Sequence, residues 1–144
     1  MKVERTIQID ASPETVYRVV MDPRRLDDWV TIHHALREAP KGELRTGSEL
    51  TQVLRLAGQR FTVHWTVVEN DFCRRVVWEG RGPVRSRARV VYGFEPSGKG
   101  TRFSYANEYR LPAGGIGRLA GKTLGRLASR EADRSLERLK SLIE

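Results

Sequence analysis

Between Val30 and Leu111 apolar and charged residues alternate, and from Ile116 to Glu144 the apolar residues return instead at helical spacing. Successive side chains on a strand point to opposite faces, whereas a helix returns to one face about every 3.6 residues. A long stretch of the first pattern followed by one of the second specifies a sheet and then a helix to cover it. Turn residues at Lys41-Gly42, Gly58-Gln59, Asn70-Asp71, Gly80 to Pro83 and Ser97 to Gly100 divide the alternating stretch into six strands of an antiparallel meander. Lys2 to Asp10 alternates as a further strand. Ser12 then offers a helix cap and Pro13 a first helical residue, with Val16, Val19 and Val20 at helical spacing. Asp22-Pro23 repeats that start signal for a second short helix carrying Leu26 and Trp29.

These elements can bury their apolar faces together only if the sheet curls around the last helix. The expected fold class is therefore α+β, one domain over residues 1–144. Parity assigns the faces of the strands. The inner set is Ile32, His34 and Leu36; Leu50, Gln52, Leu54 and Leu56; Phe61, Val63, Trp65 and Val67; Val76 and Trp78; Ser86, Ala88, Val90, Tyr92 and Phe94; and Phe103, Tyr105, Asn107 and Tyr109. Arg85, Arg87, Arg89, Arg102 and Arg110 fall on the outer face, with Glu95 and Glu108.

The order of elements, together with Ile9-Asp10-Ala11-Ser12-Pro13-Glu14-Thr15-Val16-Tyr17, Asp22-Pro23 with Leu26 and Trp29, Gly100-Thr101-Arg102-Phe103, and Ser135-Leu136-Glu137-Arg138-Leu139-Lys140, resembles the START-like (SRPBCC) superfamily. Within it the chain is most similar to polyketide cyclase/dehydrase-type proteins. The resemblance covers essentially the whole chain. It implies the helix-grip fold, a seven-stranded antiparallel sheet around a long C-terminal helix with an apolar cavity between them. The superfamily holds lipid carriers, hormone receptors, co-chaperone-like proteins and cyclases, so the resemblance names no substrate.

Composition narrows the function classes. Hydrophobic residues at 39% and charged residues at 31% fit neither a membrane protein nor a disordered chain. No window approaches the roughly 18 apolar residues of a membrane span, and the start, Met1 to Arg5, has charges where a signal peptide needs its apolar segment. A cytoplasmic, unprocessed chain is expected. The net charge of +8 comes largely from arginines scattered among acids, with only five lysines, so a specific nucleic-acid partner is not expected.

No cofactor or metal is expected. His33 and His34 are adjacent on a strand and point apart, and Cys73 is the only cysteine. Gly115 to Ala120 fits G-x-G-x-x-A, but no second strand follows to complete a dinucleotide-binding unit. Gly121-Lys122-Thr123 lacks the glycine of a phosphate loop at the required spacing. Arg74 and Arg75 could lower the thiol pKa of Cys73, but no base is evident beside it.

The closing helix carries Gly117, Gly121, Gly125, Ala128 and Ala132 within about 80° of one another. Each glycine costs about 1 kcal/mol against alanine, so the stripe implies either close helix–sheet approach or space left for a ligand. His34, Gln52, Tyr92, Tyr105, Asn107 and Tyr109 are the polar exceptions on an apolar inner face. They either bond to one another and to buried water or converge on a ligand.

The expected function is binding of a small apolar molecule or lipid, flat or elongated. Its expected contacts are Trp29, closing the mouth, with Gln52, Trp65, Trp78, Tyr92, Phe103, Tyr105, Asn107, Tyr109, Gly117 and Gly121. One alternative is a polyketide cyclase or dehydratase with His34 as acid/base and Tyr105 or Tyr109 as donors to an enolate oxygen. Another is a macromolecule-binding module using the outer arginines. Oligomeric state is left open.

Overall fold

The computed structural model describes residues 1–112 and 121–144. The helix start expected at Ile116, and Gly117 with it, lie outside the described residues. Strand β1 (Lys2–Ile9) leads into helix α1 (Pro13–Val20). Ser12 Oγ accepts from the Thr15 backbone N–H at 3.2 Å, and proline at the first helical position needs no partner for a missing N–H. The second expected helix is split. Asp22 caps a single 3-10 turn, Pro23–Arg25, and α2 proper is only Leu26–Trp29.

Six strands follow: β2 (His33–Glu38), β3 (Glu49–Leu56), β4 (Gln59–Asp71), β5 (Arg75–Arg81), β6 (Arg87–Ser97) and β7 (Gly100–Arg110). They form an antiparallel meander, and β1 returns to pair with β7, so the sheet order is β1-β7-β6-β5-β4-β3-β2. The hairpin between β3 and β4 turns on Ala57 and Gly58, both left-handed (φ 52° and 77°), the backbone a tight two-residue hairpin requires. Helix α3 (Gly121–Ile143) crosses the inner face and packs against β1, α1 and α2, with Leu136 and Leu139 buried. α1 closes the far end, where Tyr17 meets Phe94 edge-on at 5.4 Å.

Parity reads β3 to β7 correctly and fails on β2. A bulge separates the pairs His33↔Leu54 and Leu36↔Gln52, placing two residues rather than one between inward positions. His33 therefore faces the same side as Leu54, and His34 is exposed. The outer arginines are also arranged differently from expectation. Arg85 precedes β6 in a 3-10 turn with φ 60°, and Arg102 lies opposite Glu95 at the other end of the sheet from Arg87 and Arg110. They do not make one patch.

Gly80 on β5 marks a close approach. It pairs with Trp65 on β4, and a Cβ there would lie 2.7 Å from Trp65 Cε3 and 2.8 Å from Val63 Cγ1. The indole occupies the space the glycine vacates.

Candidate functional site

A cavity of about 130 Å³ lies between the inner face of the sheet, α2 and α3. Trp65, Trp78 and Tyr92, from three adjacent strands, form its aromatic floor. Trp78 meets both neighbours edge-on, with ring centroids 6.0 Å from Trp65 and 5.7 Å from Tyr92. Trp29 comes from α2 and meets Tyr92 at 6.3 Å. The roof is Leu124, Ala128, Glu131, Ala132, Ser135 and Leu136 of α3. Ala128 and Ala132 keep that roof thin, and both pack beside Val3, Tyr105 and Tyr109. Gly82, Pro83, Ser86 and Arg87, with Leu111 after β7, line the end near the β5–β6 connection.

Two polar chains enter this apolar wall. In the first, Trp65 Nε1–H donates to Gln52 Oε1 at 2.9 Å, and Gln52 Nε2 meets His33 Nδ1 at 2.8 Å. An indole can only donate, so the Gln52 oxygen must face it and the amide nitrogen must face the imidazole. His33 Nδ1 therefore accepts, and the ring proton sits on Nε2. Burial lowers the His33 pKa from its ordinary value near 6.5, Asp27 opposing and His34 assisting, so the ring is neutral at pH 7.

In the second chain, Asn107 Nδ2 donates to the hydroxyls of Tyr105 (2.8 Å) and Tyr109 (2.7 Å). Asn107 Oδ1 is buried and unpartnered among the described residues. Exchanging the two ends of the amide would orphan the nitrogen instead, so one polar end of Asn107 lacks a partner either way. The indole nitrogens of Trp29 and Trp78 are also buried and unpartnered among the described residues. Burial pushes the Tyr92, Tyr105 and Tyr109 hydroxyls up, keeping all three protonated and able to donate at neutral pH.

The architecture has counterparts among known proteins. A family model described as polyketide cyclase / dehydrase and lipid transport matches residues 1–144. The chain belongs to that family. An uncharacterized Mycobacterium tuberculosis protein, Rv1546, is 27% identical over 143 residues, covering 97% of this chain and 96% of its own. The crystal structure of TTHA0849 from Thermus thermophilus matches with a TM-score of 0.78 at 22% identity, over 99% of this chain and 97% of that one. DynU16, a protein of the dynemicin biosynthetic locus, matches with a TM-score of 0.66 at 16% identity, over 97% of this chain and 46% of its own. At these identities the solved structures establish the fold, and it is the helix-grip arrangement.

Within this polyketide cyclase/dehydrase family member, Gln52, Trp65, Trp78, Tyr92, Tyr105, Asn107 and Tyr109 all lie in the cavity wall. Trp29 is there too, but only 1% exposed and deep against Tyr92 rather than closing a mouth. Phe103 stands behind the wall, stacked on Tyr92 at 5.8 Å and fully buried. Gly121 opens α3, and Gly117 lies outside the described residues. Gly125 does not line the cavity: a Cβ there would meet Met1 Sδ at 3.0 Å. His34, the expected acid/base, is exposed at the bulge in β2 and does not line the cavity. Burial pushes the Cys73 thiol up, with Glu14 assisting and Arg18 opposing, which runs against an activated thiolate.

Sequence reasoning missed four polar residues. His33 was hidden by the bulge, and Thr31 by its place just before β2. Thr31 hydrogen-bonds Ser135 Oγ and the Glu131 carbonyl. Glu131 and Ser135 could have been found on a helical wheel, where they lie about 60° and 20° from Ala128 on the small-residue face. Glu131 is the carboxylate residue of the cavity wall, and its side chain pairs with Arg134 at 3.3 Å.

Proposed function

We propose that the protein binds a small, largely apolar ligand in the cavity between sheet and α3, using the aromatic floor for contact and the polar chains for orientation. The observation that carries this reading is an apolar cavity whose wall holds three buried polar atoms without a partner among the described residues, Trp29 Nε1, Trp78 Nε1 and Asn107 Oδ1. A protein does not leave buried donors unpaired without cost, and a ligand oxygen or bound water would relieve it. Size narrows the ligand. A cavity of about 150 Å³ holds a benzene-sized molecule, and drug-sized pockets begin near about 300 Å³, so one ring, or the one-ring end of a longer molecule or lipid, fills this one.

Toluene serves as a probe of the cavity alone. Saturable binding, read by quenching of the tryptophan fluorescence, is expected for the native protein. Ala128→Leu adds three carbons to the roof and should weaken binding at least about tenfold, with the circular dichroism spectrum retained. Undiminished toluene affinity in a folded Ala128→Leu protein would remove the cavity as the binding site.

The presence of Glu131 in the wall favours a second reading, acid–base chemistry of the cyclase or dehydratase kind, with a neutral tyrosine hydroxyl donating to a developing enolate oxygen. Glu131→Gln would then abolish turnover of an accepted oxo-substrate while leaving its binding within about twofold. Equal turnover in the variant would end the proposed role of Glu131.

A further inference from the structure

The strand register produces an arrangement on the outer face that parity alone could not show. His64, Arg81, Arg87 and Arg110 are direct cross-strand neighbours on β4, β5, β6 and β7. Side chains directly opposite on neighbouring strands stand about 5 Å apart, where like charges destabilise a sheet. The next rung has the opposite design. Thr66, Glu79, Arg89, Glu108 and Lys2 follow one another across five strands with alternating charge, and Arg89 Nε lies 3.8 Å from Glu79.

Arg81, Arg87 and Arg110 make no ion pair and no side-chain hydrogen bond among the described residues. Residues 113–120 contain no carboxylate that could supply one. Three exposed guanidinium-bearing residues thus stand next to one another across three strands.

Their place in the fold says what kind of anion would suit them. Arg81 ends β5, Arg87 begins β6 and Arg110 ends β7, so all three stand at the same end of these strands. Each is followed or preceded by a cavity-wall residue: Gly82, Ser86 and Leu111 respectively. A shallow cleft on the outer face takes in all three arginines, and Arg87 with Ala88 belongs to its wall and to the wall of the cavity. Through Arg87 the rung adjoins the end of the cavity.

We propose that Arg81, Arg87 and Arg110 form an anion site that holds the phosphate or carboxylate of a ligand whose apolar end occupies the cavity. Guanidinium forks suit both groups, because each presents paired oxygens to parallel N–H donors. This rests on the cavity reading above, and it names the ligand as an anionic amphiphile. A bound anion also offsets the mutual repulsion of the rung.

The test compares phenyl phosphate, toluene and inorganic phosphate on the native protein and on the Arg81→Gln/Arg110→Gln variant, at low salt. Phenyl phosphate is expected to bind native protein at least about tenfold more tightly than either toluene or phosphate. The variant should lose that advantage while binding toluene as before. With no anion present, the variant should also melt higher than the native protein, because the repulsion is relieved.

Phenyl phosphate binding no tighter than inorganic phosphate, or equally tight in the variant, would overturn the proposal. Failure of toluene to bind at all would instead strike the cavity reading beneath it. Two further arms use phosphatidylglycerol vesicles and single-stranded RNA. Rung-dependent binding to either, without any gain for phenyl phosphate, would replace the small amphiphile with a lipid surface or a nucleic acid and overturn the proposal.

Discussion

Gly80→Ala should destabilise the protein by about 1–3 kcal/mol, although it adds a single methyl group. The new Cβ would lie 2.7–2.8 Å from the Trp65 ring and the Val63 side chain, closer than carbon atoms can stand. The indole has little room to retreat. The ring also packs edge-on against Trp78, with ring centroids 6.0 Å apart, and its N–H is fixed to Gln52 at 2.9 Å. The ring must move into the cavity or break its hydrogen bond. Toluene affinity should therefore fall about tenfold together with stability. Urea denaturation with an unchanged m-value measures the first effect and fluorescence titration the second. A loss below about 0.5 kcal/mol, with native toluene affinity, would show that the close approach places no demand on Gly80.

Gln52→Leu should cost about 2–4 kcal/mol, because it strands two groups at once. The Trp65 N–H loses its acceptor and His33 Nδ1 loses its donor, both in a region where Gln52 itself is 4% exposed. A loss of stability under about 0.5 kcal/mol would show that the chain is not needed.

The same chain predicts a pH dependence in the native protein. The His33 pKa is lowered on folding, so below the ordinary value near 6.5 the unfolded chain binds a proton that the folded one resists. The contribution is fully present above about pH 6.5 and is lost as pH falls from there through the folded pKa. His33→Gln should flatten the stability profile in that window, measured by urea midpoints between about pH 7 and pH 5. An unchanged slope would place the responsible group elsewhere.

Much of the architecture was legible because it depends on local physics. Ser12 and Asp22 cap backbone N–H groups within three residues, so a short reading frame finds them. The inner faces of β3 to β7 follow from a period of two, and Gln52, Trp65, Trp78, Tyr92, Tyr105, Asn107 and Tyr109 fall on one surface for that reason alone. Period two survives only while the register is regular. One extra residue in β2 exchanged His33 for His34, and with it moved the imidazole that enters the polar chain. The inward placement expected of His34 failed at a bulge, which alternation cannot reveal.

The sequence by itself determined which residues alternate, where helices start, and that a long amphipathic helix must close a curled sheet, because these depend on neighbours a few residues apart. The tertiary structure decided how the strands align and what that alignment assembles. Arg81, Arg87 and Arg110 read as unrelated surface charges until the register sets them side by side. Gly80 reads as a turn residue until Trp65 is found lying across it. Glu131 reads as part of a charged helix until α3 settles with that residue over the cavity. Each depends on contacts between residues far apart in the chain, and no local period encodes the distance at which two strands or a helix and a sheet come to rest.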